Sequence, residues 1–151
     1  MEPIILASSS PRRQEILKML GIPFRVIMPT TEELFSSVLE PEDVPEMLAR
    51  EKVISVVHSL PPLQEIPWVL GADTLIVKDG KIYGKPQDQN EAESFLRAFQ
   101  GSTHSVITAI ILYNGRKKTT SSRVCKTEVT FAPMTDEEIN WYLDTGEWHG
   151  A

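Results

Sequence analysis

The chain has 151 residues, of which 41% are hydrophobic and 24% are charged, and this balance is typical of one soluble globular domain. Its net charge of -6 argues against a nucleic-acid or membrane-surface binder, which needs a broad basic face. The single cysteine, Cys125, excludes an intramolecular disulfide. With neither a signal-peptide pattern nor an apolar run of membrane-spanning length, the chain is expected to be cytoplasmic.

The first half of the chain alternates predicted strands and helices. The apolar run Ile4–Ala7 predicts a strand, and a helix follows over residues 11–20, with Ser10 as its N-cap and a proline at its first position. A second strand is predicted over residues 24–28. A second helix is predicted over residues 45–58, where two prolines beyond its end cannot continue it.

The second half is richer in hairpins. A strand is predicted over residues 69–72, and it ends at Asp73. Its other elements are a hairpin over residues 75–77 and 81–83, a helix around residues 92–99, a long hairpin over residues 105–113 and 117–131, and a helix from Thr135 to Gly146. The alternation of helices and strands followed by hairpins predicts an α/β fold with a mixed sheet, in a single domain over residues 1–151.

A cluster of anion-binding groups is predicted where the first strand meets the first helix. Ser8, Ser10, Arg12 and Arg13 all lie within this turn. Two guanidinium groups at the positive end of a helix are unfavourable unless an anion binds there. The pattern therefore favours a phosphate site, although an ordinary helix start remains open as an interpretation.

Carboxylates and further cations are expected near the same end of the sheet, because ligands of α/β sheets gather at the carboxyl ends of strands. Asp73 follows an apolar strand and should be partly buried, which requires a partner or a metal. The alternative is that Asp73 bonds to its own backbone in a turn. Glu33 also fits a plain charged turn, and Lys52 and Lys85 also fit ordinary surface lysines.

Taken together, the motifs resemble the Maf family of nucleoside triphosphate pyrophosphatases. The resemblance covers nearly the whole chain, and its blocks occur in the order of the family. They are residues 6–13 (Leu-Ala-Ser-Ser-Ser-Pro-Arg-Arg), Glu33, residues 49–52 (Ala-Arg-Glu-Lys), residues 71–74 (Gly-Ala-Asp-Thr), residues 84–86 (Gly-Lys-Pro), residues 101–108 and residues 145–148.

This resemblance implies an elongated mixed sheet flanked by helices, a fold similar to that of inosine triphosphatases. It also implies that a nucleotide binds in a central cleft and that the protein often forms a homodimer. It implies hydrolysis of dTTP, UTP and modified pyrimidine triphosphates to the monophosphate and pyrophosphate. Asp73 would be the general base, and Glu33 with Asp73 would hold Mg²⁺ or Mn²⁺. The substrate would be bound by Ser8, Ser10, Arg12, Arg13, Lys52, Thr74 and Lys85, with Arg12 and Thr74 helping to set the choice of base.

One departure from the family pattern keeps two alternatives open. The family continues beyond the block at residues 145–148 with a further segment, whereas this chain stops at Ala151. A catalytically impaired, shortened homologue is therefore one alternative reading. The other is a nucleotide-binding regulator of cell division and septum formation, a role with which the family has been linked.

Overall fold

A computed structural model describes residues 1–30, 39–61 and 65–150. Over these ranges the chain forms six strands and four α-helices. The strands are β1 (Ile4–Ala7), β2 (Phe24–Val26), β3 (Trp68–Lys78), β4 (Lys81–Tyr83), β5 (Thr103–Asn114) and β6 (Thr119–Thr130). The helices are α1 (Pro11–Met19), α2 (Val44–Ser59), α3 (Gln89–Phe99) and α4 (Asp136–Thr145). No described helix is both long and apolar enough to cross a bilayer.

The strands form one mixed sheet in the order β2-β1-β3-β5-β6, with β4 paired to β3. Strand β1 runs parallel to β2 and to β3, whereas β4 is antiparallel to β3. The prediction of an α/β fold with a mixed sheet is therefore confirmed. The last pair in the β1–β3 register joins Ala7 to Gly71, so β3 continues past the carboxyl end of β1.

Strand β3 corrects one prediction. The sequence pattern predicted a strand that ends at Asp73 and a separate strand over residues 75–77, but the structure has a single strand of 11 residues. Asp73 and Thr74 therefore lie inside a strand rather than after one. The polar pair is tolerated there because the buried carboxylate of Asp73 has an ionic partner, Lys52.

The chain divides into two compact units, the first comprising Met1–Thr74 with Thr108–Cys125 and the second comprising Leu75–Ile107 with Lys126–Ala151. The prediction of a single domain remains a prediction. In the first unit, apolar residues of β1, β3 and β5 pack against one face of α2. Its buried core consists of Ile5, Ala7, Ala49, Val53, Val56, Val69, Ala109 and Ile111.

Helix α1 contributes little to the buried core. Leu17 is buried, but Ile16 and Leu20 are mostly exposed. Only one of these three apolar side chains is therefore buried. Helix α1 is accordingly held in place by the polar contacts at its N-terminus as well as by packing.

The second unit contains α3 and α4 and has its own apolar cluster of Ala92, Ile139, Leu143 and Trp148. Thr135 is the N-cap of α4, because its Oγ1 accepts a hydrogen bond from the Glu138 N–H and also donates one to the Glu138 carboxylate. The helix ends at Gly146, whose φ of +70° suits glycine.

Candidate functional site

The turn between β1 and α1 is organised by the hydroxyl group of Ser8. Ser8 is buried at the end of β1, and its Oγ accepts a hydrogen bond from the Ser10 N–H at 3.2 Å. Ser10 occupies the N-cap position as predicted, but its own side chain makes no capping hydrogen bond. Ser8 therefore closes this turn, and Ser10 contributes its backbone N–H.

Arg13 bridges the start of α1 and strand β3. Its Nη1 donates to Ser8 Oγ at 3.1 Å, and its Nη2 donates to Thr74 Oγ1 at 3.4 Å. Thr74 Oγ1 in turn lies 2.9 Å from Thr108 Oγ1 on β5. We call Ser8, Arg13, Thr74 and Thr108 the hydroxyl cluster. It holds one guanidinium group in a fixed position between two strands.

The N-terminus of α1 has the electrostatic character of an anion site. Its first turn contains no acidic residue, and Arg12 is exposed beside the half-buried Arg13. Backbone N–H groups and the helix dipole add to the positive potential of the two arginines. An anion that reaches this turn therefore meets only hydrogen-bond donors and positive charge from α1.

Lys52 and Asp73 form a buried ion pair in the same unit. Lys52 Nζ donates to Asp73 Oδ1 at 2.7 Å, and the two side chains are only 13% and 5% exposed. Lys52 comes from the middle of α2, and Asp73 comes from β3. The prediction that Asp73 needs a partner is correct, and the alternative of a self-bonded turn is excluded by its place inside the strand.

The ion pair and the hydroxyl cluster lie on opposite faces of β3. Side chains alternate along a strand, so Gly71 and Asp73 face α2 whereas Thr74 faces the other way. Contact between the Gly71 position and Val53 of α2 supports this assignment. Beyond Gly71, β1 no longer pairs with β3. Asp73 and Thr74 therefore both lie on the stretch of β3 just beyond the end of β1.

The structure brings five of the predicted site residues into these two hydrogen-bonded groups: Ser8, Arg13, Lys52, Asp73 and Thr74. Lys85 is exposed and lies after β4 in the second unit. Glu33 lies outside the described residues. Its predicted role as a metal ligand therefore stays a prediction.

Asp73 is the described residue with the right chemistry for a divalent metal. The described part of the chain contains no group of three His, Cys, Asp or Glu residues that could hold a metal ion. However, Mg²⁺ is commonly held by one or two carboxylates and the phosphates of its substrate. A buried carboxylate beside an anion site fits that kind of metal binding.

Thr108 is the residue of this site to which the sequence assigned no role, although it ends the family block at residues 101–108. It lies in an apolar stretch of β5, between the buried residues Ile107 and Ala109. Its place at the end of that block does not show what its hydroxyl contacts. Only the pairing of β3 with β5, which the sequence does not specify, brings it to Thr74.

Comparison with known proteins gives consistent matches. The dTTP/UTP pyrophosphatase of Symbiobacterium thermophilum is 42% identical over 147 residues, which cover 97% of this chain and 73% of that protein. The dTTP/UTP pyrophosphatase of Bacillus cytotoxicus is 40% identical, with 97% and 74% covered. Residues 3–151 match the Maf-like protein family as a whole.

Solved structures share the fold at low sequence identity. The Ham1 protein of Staphylococcus aureus superposes with a TM-score of 0.52 at 14% identity, over 97% of this chain and 98% of that chain. A Vibrio cholerae protein superposes with a TM-score of 0.50 at 12% identity, over 100% and 79% of the respective chains. The sequence matches confirm the resemblance first carried by the motifs: the chain belongs to the Maf-like protein family.

Proposed function

We propose that the protein hydrolyses nucleoside triphosphates to the monophosphate and pyrophosphate, with dTTP, UTP and modified pyrimidine triphosphates as its substrates. The names of its relatives, dTTP/UTP pyrophosphatases, support this proposal. The observation that carries it is the arrangement along β3, where a buried, lysine-paired Asp73 directly precedes a threonine held by Arg13.

The hydroxyl cluster suits a triphosphate chain. Arg13 is already positioned by two hydrogen bonds, so little side-chain entropy is lost when a phosphate binds. Ser8 Oγ accepts from two donors and keeps its proton for a phosphate oxygen. We propose that Ser10, Arg12, Lys52 and Lys85 supply further contacts to the substrate, with Arg12 and Thr74 helping to select the base.

Asp73 is proposed as the general base. The nearby ammonium group of Lys52 favours the ionised carboxylate, the form that accepts a proton. A water molecule transfers a proton to Asp73 while its oxygen bonds to the α-phosphorus. The bond from that phosphorus to the oxygen bridging the α and β phosphates breaks, and pyrophosphate leaves with the electron pair.

A divalent cation is part of the proposal. Asp73, together with Glu33, would hold Mg²⁺ or Mn²⁺ against the triphosphate. When bound, such an ion neutralises phosphate charge and supports attack on phosphorus. Thr30, three residues before Glu33, is anchored to Ser55 of α2 by a 3.0 Å hydrogen bond from its N–H to Ser55 Oγ. This bond ties Thr30 to the helix that carries Lys52.

The cellular location and the oligomeric state of the protein also remain proposals. A cytoplasmic location is supported by Cys125, which is a free, exposed cysteine, as is typical of a reducing compartment. The homodimer implied by the family resemblance stays a prediction, and light scattering on the purified protein would test it.

A pyrophosphate-release assay tests the function and the base together. The wild-type protein, with Mg²⁺ or Mn²⁺ and a panel of natural and modified triphosphates, should release pyrophosphate from dTTP and UTP. Asp73→Asn removes the proton acceptor and should lower the rate by about 10²- to 10⁴-fold. Asp79→Asn is the matched control, because Asp79 is an exposed turn residue whose φ of +50° asparagine also adopts.

The outcomes separate the alternatives. An Asp73→Asn variant with full activity would show that the base is assigned wrongly. A wild-type protein that binds triphosphates without releasing pyrophosphate would favour the regulator. A protein that neither binds nor hydrolyses them would favour the impaired homologue.

A further inference from the structure

Thr108 belongs to the hydroxyl cluster through one contact. Its Oγ1 lies 2.9 Å from Thr74 Oγ1, and either hydroxyl can be the donor. Its neighbours on β5, Ile107 and Ala109, are buried, and Ala109 belongs to the core that packs on α2. Because side chains alternate along β5, Thr108 faces the side of the sheet that carries Thr74 and Arg13.

The direction of this hydrogen bond decides whether Thr74 keeps its proton for a ligand. A threonine hydroxyl has one proton and accepts up to two hydrogen bonds. Arg13 Nη2 already donates to Thr74 Oγ1. If Thr108 also donates, Thr74 keeps its proton for a ligand. If Thr74 donates to Thr108 instead, it has no proton left for a ligand.

Ser8 shows which arrangement matches the rest of the site. Its Oγ accepts from the Ser10 N–H and from Arg13, so its proton is left available for a third partner. If Thr108 donates, Thr74 Oγ1 likewise accepts two hydrogen bonds and keeps its own proton. Thr74 then matches Ser8 on the other side of the guanidinium group of Arg13. The cluster then presents two hydroxyl protons and one cation, all suited to acceptor oxygens.

We propose that Thr108 is a positioning residue that donates its proton to Thr74 and so directs the Thr74 proton to an acceptor oxygen of the bound nucleoside triphosphate. This inference rests on the proposed function, because the ligand is the substrate named there. The acceptor is a phosphate oxygen or a carbonyl oxygen of the base. An amino group of the base cannot take this place, because it is itself a hydrogen-bond donor.

The test compares three single variants. Thr108→Val removes the hydroxyl, Thr108→Ser keeps it, and Thr103→Val removes a hydroxyl from the same strand. Thr103 is a suitable control because its Oγ1 also pairs with a threonine, Thr130, at 2.7 Å. Thr103 and Thr108 are five residues apart, so they face opposite sides of β5.

Steady-state hydrolysis of UTP is the first measurement. Thr108→Val should raise KM about five- to tenfold with kcat nearly unchanged, because Thr74 loses the donor that directs its proton to the bound nucleotide, in ground and transition states alike. Thr108→Ser should restore the wild-type KM, and Thr103→Val should leave both constants unchanged. Equal KM values for Thr108→Val and wild type would overturn the inference, as would a KM that Thr108→Ser fails to restore.

Calorimetric binding with the metal chelated is the second measurement. Thr108→Val should weaken UTP binding by the same factor. If it also weakens binding of inorganic triphosphate, the acceptor is a phosphate oxygen, whereas an effect on UTP alone identifies the base carbonyl. If the wild type binds UTP without hydrolysing it, the proposed function fails, while the Thr108→Val effect on UTP binding still decides this inference. Absence of UTP binding by the wild type would overturn both.

Discussion

At the scale of single residues, the Lys52–Asp73 ion pair serves the proposed reaction, but burial of its two charges costs stability. Both side chains are withdrawn from water, and they lie 2.7 Å apart. Desolvation of two charges is costly, and their attraction offsets it only while both partners are present. The pair is therefore better understood as a functional arrangement than as a source of stability.

Loss of one partner should destabilise the protein. Lys52→Met leaves a buried, uncompensated carboxylate and should lower the free energy of unfolding by about 3 kcal/mol, as measured by urea denaturation. The double variant Lys52→Met/Asp73→Asn removes both charges and should recover most of this loss. Lys85→Met, at an exposed site, should change stability by less than about 0.5 kcal/mol. A fully stable Lys52→Met variant would contradict this account.

His104 is a second residue whose surroundings have a measurable consequence. It is buried between Phe99 and Phe131 in the second unit, with ring centroids 4.6 and 5.2 Å away. Its Nδ1 has no hydrogen-bond partner among the described residues. Burial lowers the pKa of His104 from its ordinary value of 6.5, an effect opposed by Glu128 and supported by Lys78.

This lowered pKa predicts a loss of stability in acid. Below about pH 6.5 the unfolded chain binds a proton at His104 that the folded protein does not, so the free energy of unfolding falls as the pH decreases further. His104→Phe should remove this component of the pH dependence, whereas His58→Gln, at an exposed histidine, should keep it. Parallel stability curves for wild type and His104→Phe between pH 7 and pH 5 would refute the prediction.

At the scale of elements, the site depends on how closely β3 approaches α2. A Cβ atom at Gly71 would lie 2.5 Å from Val53 Cγ2 and 2.9 Å from the Ala49 carbonyl oxygen. Both distances are too short for ordinary contact. The absence of a side chain at Gly71 therefore permits the spacing at which Lys52, one residue before Val53, reaches Asp73.

Gly71→Ala should accordingly impair the protein in two ways. Forcing the strand and helix apart should cost about 1–3 kcal/mol of stability, and it should lower the rate of pyrophosphate release by separating Lys52 from Asp73. Gly21→Ala is the control, since its Cβ would meet nothing within 4 Å and only its φ of +69° is unfavourable. Equal activity of Gly71→Ala and wild type would show that this spacing is not required.

Some elements of the fold are specified by side chains close together in the sequence, and others depend on distant partners. The bounds of β1 and the start of α4 at Thr135 follow from side chains within a few residues, and both predictions are correct. The continuity of β3 was missed because Asp73 and Thr74 resemble a strand end when considered alone. Their place inside a strand depends on Lys52, a partner 21 residues earlier in the chain.

At the scale of the whole molecule, an acidic protein is proposed to bind a highly charged anion. The net charge of -6 repels a triphosphate at long range. The cations of α1 and Lys52 act at contact distance, within the screening length of about 10 Å at 0.1 M salt. Because an attraction in contact outweighs a screened repulsion from more distant charges, local attraction should dominate affinity.

Added salt should therefore weaken substrate binding. The KM for UTP should rise about two- to fivefold between 50 and 500 mM KCl at a fixed Mg²⁺ concentration, because salt screens the cations at the site. Arg12→Gln should show a smaller rise than wild type, since one of these cations is gone. A KM that falls with added salt would indicate that the net charge of the protein dominates instead.

The fold class could be predicted at this scale, because ordered motifs along the chain pointed to one family, whereas the roles of the site residues stay predictions. Ser8, Arg13, Lys52, Asp73 and Thr74 are found in hydrogen-bonded groups. Thr108 could not be predicted, because its role depends on strand pairing rather than on neighbouring residues. Strand pairing is decided by the packing of the whole sheet, which no short motif encodes.

The alternation along β3 also limits how this chain can change in length. Asp73 and Thr74 are adjacent, yet they serve groups on opposite sides of the sheet. Removal or addition of one residue between Gly71 and Asp73 would exchange these sides, turning the carboxylate towards Arg13 and the hydroxyl towards Lys52. Loops elsewhere can grow or shrink by any number of residues, but this segment of β3 tolerates only even changes.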